Sequence, residues 1–337
     1  MHDSPASRDR SLLQLLADRG WIATPQATVQ PLTGGVSSDI LLIDDGRRPV
    51  VLKRALPRLK VAADWQADVS RNLFEQRFFD YVGGFLPRAV PRVLERDPEQ
   101  GFFLMEYLGE GFENWKTRLL AGRALDVDAL HAARIMAEIH AHSWGDVTAA
   151  RDFDSTSNFW QLRLEPYLLA TAVSHPEWQE PLRSEARRLA ETRLALVHGD
   201  FSPKNILIAP ERMVLVDAEV AWFGDPVFDV AFQLNHLLLK SLHHQGKACS
   251  DDCQRLAAMF WEEYQRRATR DRELESRLVR LLPMLLLARV DGKSPAEYLT
   301  EPAQHELVRR FAGDIFQRPA ARFEELLQRW GAALHDR

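Results

Sequence analysis

The chain has 337 residues, 46% of them hydrophobic and 27% charged, and its formal net charge is −5. One hydrophobic core rarely organises so long a chain, so two lobes are expected. The negative net charge argues against sequence-independent binding of nucleic acid, which requires an extended basic surface.

The beginning of the chain has no signal-peptide character. Residues 1–10 are polar and charged, and no later run approaches the 18 or more apolar residues of a membrane span. We therefore expect no association with a membrane and a location in the cytoplasm.

The first hundred residues predict a small antiparallel sheet with one helix inserted before its last strands. After a short helix over Leu12–Leu16, β-branched and apolar runs separated by Gly and Asp turns indicate strands. Apolar spacing predicts a helix over Asp64–Tyr81, which Gly83 and Gly84 end. The predicted strands are Thr28–Leu32, Ile40–Ile43 and Val50–Leu52, then one around Val93 and one over Phe102–Glu106.

From Gly109 onward the pattern is mostly helical. Long amphipathic stretches follow one another: Asp126–Trp144, Asp252–Arg267, Glu273–Val290 and Arg322–Leu334. The fold class predicted is α+β, with a small sheet lobe over residues 1–108 and a larger helical lobe over 109–337. One break in the helical lobe, from residue 196 to residue 229, contains two short apolar runs between polar loops.

This break carries the residues suited to chemistry. Asp200 and Asn205 lie five residues apart in a loop, and Asp217 and Glu219 follow the next predicted strand. Transfer of a phosphoryl group from ATP requires metal ions at the phosphates, a carboxylate at the acceptor hydroxyl and a cation on the α/β-phosphates. The oxygens of these four side chains can converge on one such centre.

The spacing His198-Gly-Asp-x-x-x-x-Asn205 followed by Asp217 resembles the superfamily of aminoglycoside phosphotransferases and choline kinases, whose fold is that of the protein kinases. The resemblance extends upstream, in the same order, to the phosphate-covering turn, the lysine strand, the next helix and the hinge. These are Leu32-Thr-Gly-Gly-Val-Ser-Ser-Asp39, Val50-Val-Leu-Lys53, Glu75 and Leu104-Met-Glu-Tyr-Leu108.

The resemblance implies ATP and Mg²⁺ as cofactors and assigns roles to single residues. Asp200 would be the catalytic base, and Asn205 and Asp217 would bind Mg²⁺. Lys53, held by Glu75, would contact the α/β-phosphates.

Two backbone segments would complete the nucleotide site. Glu106 and Leu108 would hydrogen-bond adenine through their main chain. Gly34 and Gly35 would bring backbone N–H groups to the phosphates, and Ser37 and Ser38 would add hydroxyl donors.

Three side chains keep open roles. Glu219 could approach a second Mg²⁺, bind the acceptor or balance a cation. His198 is expected to fix the backbone of the loop rather than transfer a proton. Asp229 is expected in the first turn of the next helix, where it can hydrogen-bond the backbone of the catalytic loop. Asp225 is expected to cap the same helix.

The acceptor is expected to be a small molecule with a hydroxyl group. Gly199 stands where many protein kinases carry an arginine, and only seven residues separate Asp217 from Asp225. So short a segment cannot form an activation loop that docks a peptide.

We expect Arg289 and Lys293 to contact an anionic or sugar-like group, the alternative being that Arg289 pairs with an acid between helices. The segment from residue 240 to residue 247 is neutral or basic, which disfavours polycationic antibiotics such as aminoglycosides. The resemblance leaves a sugar, an amino alcohol or a related metabolite.

Two other functions remain as alternatives. A regulatory pseudokinase would usually lack the lysine, the base or the metal aspartate, which this chain keeps. In a kinase-like nucleotidyltransferase the acceptor would attack the α-phosphate and AMP would be transferred.

The two cysteines, Cys249 and Cys253, do not predict a disulfide. With His243 and His244 they could hold Zn²⁺, but two free thiols in a surface segment are the preferred interpretation.

Overall fold

The computed structural model describes residues 5–32, 38–55, 71–268 and 270–335. Its chain divides into two compact units, Met1–Glu110 and Gly111–Arg337. No helix in the described residues has the length and apolar character needed to cross a membrane.

The first unit is built on a five-stranded sheet. Its helices are α1 (Pro5–Asp18) and α2 (Arg71–Gly83), and its strands are β1 (Thr28–Pro31), β2 (Ser38–Asp44), β3 (Val50–Ala55), β4 (Val93–Asp97) and β5 (Phe102–Glu106). The strands lie in the order β1-β2-β3-β5-β4, every neighbouring pair being antiparallel. The predicted antiparallel sheet is confirmed.

One hydrophobic cluster of this unit lies between α1 and the sheet. Leu13 and Leu16 of α1 belong to one cluster with Leu52 and Leu104, which are opposite each other on β3 and β5. α2 ends at Gly83, as expected from the paired glycines. The predicted start of that helix at Asp64 lies outside the described residues.

The second unit is mostly helical. It contains α3 (Trp115–Leu120), α4 (Asp126–Ser143), α5 (Val147–Asp152), α6 (Thr156–Phe159), a π-helix (Trp160–Leu169), α7 (Ala170–Ser174), α8 (Gln179–Glu191), α9 (Val227–His243), α10 (Ala248–Arg267), α11 (Leu274–Asp291), α12 (Pro302–Gln317) and α13 (Phe323–His335). Short 3₁₀ turns cover Pro176–Trp178 and Pro203–Asn205. The α+β fold class predicted from the sequence is confirmed.

Two small antiparallel sheets interrupt these helices. Strands β6 (Glu113–Asn114), β8 (Ile206–Ala209) and β9 (Arg212–Leu215) form one, and β7 (Ala195–Val197) and β10 (Trp222–Gly224) form the other. Strands β7 and β10 lie near the two ends of the polar break found in the sequence, and β8 and β9 lie within it. The loops between them are therefore fixed at both sides by strand pairing.

Helices α9 and α11 form the centre of this unit. Every residue of α9 from Val227 to Leu242 is buried, and α11 is buried along almost its whole length. A helix buried on all sides must pair its polar side chains within the protein or reserve them for a ligand. Asp225, before α9, accepts a hydrogen bond from the N–H of Val227 and also pairs with Arg188 and Arg277.

Candidate active site

The loop from β7 to β8 carries the His198-Gly-Asp200 motif. Gly199 has a φ of 75°, and a Cβ at this position would lie 2.5 Å from the carbonyl oxygen of Val220. Only glycine combines a left-handed backbone with this close approach. The glycine of the motif is thus required by packing against the segment that follows Asp217.

Asp229, in the first turn of α9, holds this loop from behind. Its two carboxylate oxygens accept hydrogen bonds from the N–H groups of His198 and Gly199, at 2.7 and 2.9 Å. His140 contacts the same carboxylate through Nε2 at 3.3 Å, while its Nδ1 lies 2.8 Å from the hydroxyl of Tyr264. The hydrogen bonds predicted between Asp229 and the backbone of this loop are present.

His198 lies within the loop as a buried, neutral ring. Burial lowers the pKa of its imidazole, and its Nδ1 accepts a hydrogen bond of 3.2 Å from the N–H of Asp200. This hydrogen bond ties the ring to the backbone of the loop, in agreement with the structural role expected for it.

Asp200 is a buried carboxylate in contact with two cations. Its Oδ2 lies 3.0 Å from Nη2 of Arg163 and 2.9 Å from Nζ of Lys204. Burial raises the pKa of Asp200, but the charges of Arg163 and Lys204 outweigh it and hold the pKa below its ordinary value. Asp200 is therefore ionised at neutral pH.

Arg163 also fixes the geometry of the loop. Its Nε donates to the carbonyl of Gly199 at 2.5 Å, and its Nη1 donates to the carbonyl of Leu162 at 2.6 Å. A guanidinium that serves two carbonyls and one carboxylate from a buried position has little freedom to move. Arg163 therefore orients the Asp200 carboxylate as well as stabilising its charge.

The residues expected to hold Mg²⁺ offer a suitable set of oxygens. The Asn205 Nδ2 donates a hydrogen bond of 3.0 Å to the carbonyl of Asp200. The amide nitrogen is thereby used, and the amide oxygen is the atom that can bind a metal ion. The N–H of Val216 donates to the carbonyl of Asn205 at 3.0 Å, which brings Asp217 next to Asn205.

Asp217 has a φ of 64°, the one positive value at a residue other than glycine in the part of the chain the structure describes. Such backbone conformations collect at functional sites. No group of three or more His, Cys, Asp or Glu side chains suited to a metal occurs among the described residues. A set of one amide and one or two carboxylates, Glu219 being the second, fits Mg²⁺ completed by nucleotide phosphates and water.

In the first unit, Lys53 on β3 and Glu75 on α2 form a buried ion pair. Lys53 Nζ lies 2.8 Å from Glu75 Oε1, and both side chains are almost fully buried. Ser38 begins β2 and is buried. Gly34, Gly35 and Ser37 of the predicted phosphate turn lie outside the described residues.

The predicted hinge, residues 104–108, overlaps the last three residues of β5. The N–H of Glu106 donates to the carbonyl of Arg92 at 3.0 Å, and the Glu106 side chain accepts a bond of 3.0 Å from the N–H of Arg92. Leu108 follows in a segment without regular structure. This reciprocal pairing fixes the position of the chain immediately before Leu108.

The two tentative acceptor residues lie in different environments. Arg289, near the end of α11, is buried and contacts Tyr167 and Ser294. Lys293 is half exposed and pairs with Glu165 at 2.9 Å. The alternative was that Arg289 pairs with an acid between helices. In the part of the chain that the structure describes, Arg289 forms no such ion pair.

Sequence reasoning missed Arg163 and Lys204. Lys204 could have been predicted as a partner of Asp200, because it lies in the same loop, four residues further along the chain. Arg163 had no such signal, since it lies 37 residues before Asp200 in a π-helix that tertiary packing brings to the loop. Its contact depends on a side-chain direction that periodicity does not predict.

We expect Arg163→Met to move the acidic limb of the kcat–pH profile to higher pH by about one unit. Removing the guanidinium leaves Lys204 as the single cation on Asp200, so the pKa of that carboxyl rises. Arg163→Lys should keep most of the wild-type profile, and exposed Arg187→Met should leave it unchanged. Identical acidic limbs in Arg163→Met and wild type would refute this electrostatic role.

Comparison with known proteins finds matches to a protein family, to relatives and to solved structures. The family model of the phosphotransferase enzyme family matches residues 28–274. A methylthioribose kinase from Yersinia enterocolitica is 26% identical over 285 residues, which cover 74% of this chain and 71% of that enzyme. A methylthioribose kinase from Bacillus cereus is 22% identical over 61% of this chain and 59% of its own length. This chain thus spans less than two thirds of the second relative.

A solved structure of a choline/ethanolamine kinase family protein from Mesorhizobium loti has the same fold. It superposes with a TM-score of 0.53 and 15% identity, covering 96% of this chain and 98% of that one. The family model and these relatives indicate an ATP-dependent kinase of small molecules. The chain belongs to the phosphotransferase enzyme family.

Proposed function

We propose that this enzyme transfers the γ-phosphate of ATP to a hydroxyl group of a small molecule, with Asp200 as the base. The observation that carries the proposal is the buried Asp200 carboxylate held by Arg163 and Lys204 in a loop fixed by Asp229. In the reaction the bond from the γ-phosphorus to ADP breaks and a bond to the acceptor oxygen forms. The hydroxyl proton passes to Asp200.

A carboxylate with a lowered pKa suits this reaction. Phosphoryl transfer passes through a loose transition state in which the acceptor needs orientation more than early deprotonation. Asp200 accepts a hydrogen bond from the hydroxyl in the ground state and takes the proton late. Arg163 and Lys204 keep it ionised and in place throughout.

Nucleotide binding is proposed for groups of both units, each considered by itself. In the first unit, Lys53, oriented by Glu75, binds the α/β-phosphates, and the main chain at Glu106 and Leu108 binds adenine. In the second unit, Asn205 and Asp217 would hold Mg²⁺, with Glu219 at its edge. The bound ion would neutralise charge on the phosphates.

A release assay for ADP tests this proposal. Mg²⁺-ATP is supplied with methylthioribose, for which the relatives are named, and with other sugars and amino alcohols. We expect ADP and a phosphorylated acceptor in equal amounts. AMP transfer would instead favour nucleotidyl transfer, and nucleotide binding without turnover over the whole panel would favour a pseudokinase.

A further inference from the structure

The second unit contains a cluster of buried cations that begins next to Asp200 and continues away from it. Arg163 lies 5.9 Å from the ring centre of Tyr167, measured from Cζ. The Tyr167 hydroxyl accepts a hydrogen bond of 3.4 Å from Nη1 of Arg289. One tyrosine therefore connects the arginine on the catalytic carboxylate with a second, buried arginine.

The cluster continues along one face of α9. Phe232, His236 and Lys240 are spaced at intervals of four, so they share one side of the helix. Phe232 contacts Tyr167 with ring centres 5.5 Å apart, and His236 contacts Phe232 at 5.1 Å. The α9 face thus reaches Tyr167 at one end and Lys240 at the other.

Lys240 is almost completely buried and has no carboxylate partner in the described residues. Its Nζ lies 4.8 Å from the ring centre of Tyr298 and 3.5 Å from the carbonyl of His236. Burying an ammonium without a carboxylate is costly, and proteins retain such groups mostly for a function. Neither a carbonyl at 3.5 Å nor a ring offsets the loss of water fully.

Arg289 is a second buried cation without a carboxylate partner in the described residues. Its Nη1 donates to Ser294, at 2.8 Å to Oγ, but its Nε is buried without a hydrogen-bond partner, as is the hydroxyl of Tyr298. No described carboxylate lies within ion-pair distance of Arg289. The Nε–H of Arg289 and the hydroxyl of Tyr298 therefore remain as buried donors for a ligand, next to the charge of Lys240.

The charge of Glu297 acts on both Lys240 and Arg289, but this carboxylate already pairs with Lys116. The charges of Lys240 and Arg289 are therefore in excess. Lys116, Ser294 and Tyr298 are half buried, so the cluster extends to the surface of the unit.

The titration of the neighbours reflects a positive potential. Burial and then the charges of Lys240, Arg289, Lys204 and Lys116 hold the pKa of His236 well below its ordinary value. Burial should raise the pKa of Tyr167, yet nearby guanidinium groups leave it lowered. A buried tyrosine whose pKa falls must lie in a field that favours negative charge.

We propose that Lys240 and Arg289 bind an anionic group, a carboxylate or a phosphate monoester, on the acceptor whose hydroxyl is phosphorylated at Asp200. The inference rests on the proposed function and narrows its substrate to hydroxylated compounds that carry a negative charge away from the reacting hydroxyl. Arg289 supplies directional hydrogen bonds and Lys240 a point charge. Neutral His236 adds a donor or acceptor for the rest of the molecule.

The charge of Lys240 gives the proposal a signature. Burial lowers the pKa of Lys240 to about 7; the other groups that act on it are Lys116, Cys253, Arg289 and Glu297. Binding of an anion favours the charged form, so it is coupled to proton uptake near neutral pH. Affinity for the anion must fall as the pH rises through about 7.

Calorimetry without ATP tests the site independently of phosphoryl transfer. The probes are matched: ribose 5-phosphate against ribose for a phosphate, and gluconate against glucose for a carboxylate. For the full chain we expect the charged member of at least one pair to bind about 10- to 100-fold more tightly at pH 6 than its neutral partner. Its affinity should weaken by pH 8.5.

Three variants complete the test. Lys240→Met should lose most of the anion affinity, Lys240→Arg should keep affinity without the pH dependence, and exposed Lys247→Met should match wild type. Removing a buried charge also stabilises, because the lowered pKa makes the folded state gain stability only as the pH rises above about 7. The melting temperature of Lys240→Met at pH 7 should therefore exceed that of wild type.

Equal affinity for charged and neutral partners, or unchanged anion affinity in Lys240→Met, would overturn the anion site. ADP release with neutral acceptors alone would overturn it too, while leaving the kinase function intact. Anion binding that depends on Lys240 but never leads to ADP release would support the site and contradict the kinase function instead.

Discussion

Asp200→Asn is expected to lower kcat by about 10²- to 10⁴-fold, the usual range for general-base and positioning contributions. The amide keeps the shape of the side chain and can still contact Arg163 and Lys204, but it cannot take the hydroxyl proton. The dissociation constant of Mg²⁺-ATP should change little, because nucleotide contacts are assigned to other residues. Steady-state ADP release and nucleotide titration measure the two quantities.

The matched control is Asp251→Asn, since Asp251 is exposed in the first turn of α10 and lies outside the site. It should leave kcat unchanged. Near-wild-type turnover by Asp200→Asn on an acceptor found by the release assay would mean that another residue is the base. The two ion pairs that Arg163 and Lys204 form with this carboxylate would then need a different explanation.

Asp217→Ala is expected to remove the dependence of ATP binding on Mg²⁺ and to reduce kcat/KM by about 10³-fold. Metal ions supply several kcal/mol of charge stabilisation in such reactions, and each 1.36 kcal/mol is a factor of ten. ATP titrations with and without Mg²⁺ should give nearly the same affinity in the variant. In the wild type they should differ clearly.

The backbone at this position requires a second variant. Asp217 has a φ of 64°, which asparagine tolerates better than alanine. Asp217→Asn should keep the wild-type melting temperature and still lose most of the Mg²⁺ dependence. If Asp217→Asn retained full Mg²⁺-dependent affinity, the metal ligand would have to be sought elsewhere, with Glu219 the first candidate.

The buried charges of the two units follow different physical rules. Lys53 and Glu75 compensate each other at 2.8 Å in a buried ion pair. Asp200 is overcompensated by two cations, which keeps it ionised. Lys240 and Arg289 form no ion pair with a carboxylate in the part of the chain that the structure describes, and this imbalance is what points to a negatively charged ligand.

The sequence by itself determined the fold class and the order of the chemical groups. Strands β3 and β5 could be predicted because their apolar residues lie in short runs bounded by turn residues, and α4 because its apolar positions repeat at helical spacing. These are local signals. The Asp200, Asn205 and Asp217 spacing is also local, since all three belong to one stretch of chain between two small sheets.

Only the tertiary structure decided how charge is distributed around Asp200. Arg163 comes from a π-helix, Lys240 from the interior of α9 and Arg289 from the end of α11, and no spacing in the sequence connects them. Their meeting depends on which helices pack against one another, since α9 and α11 are buried along almost their whole length. Periodicity places the polar residues of one helix on a common side, as it does Asp229, His236 and Lys240 of α9, but it contains no signal from which their partners on other helices can be predicted.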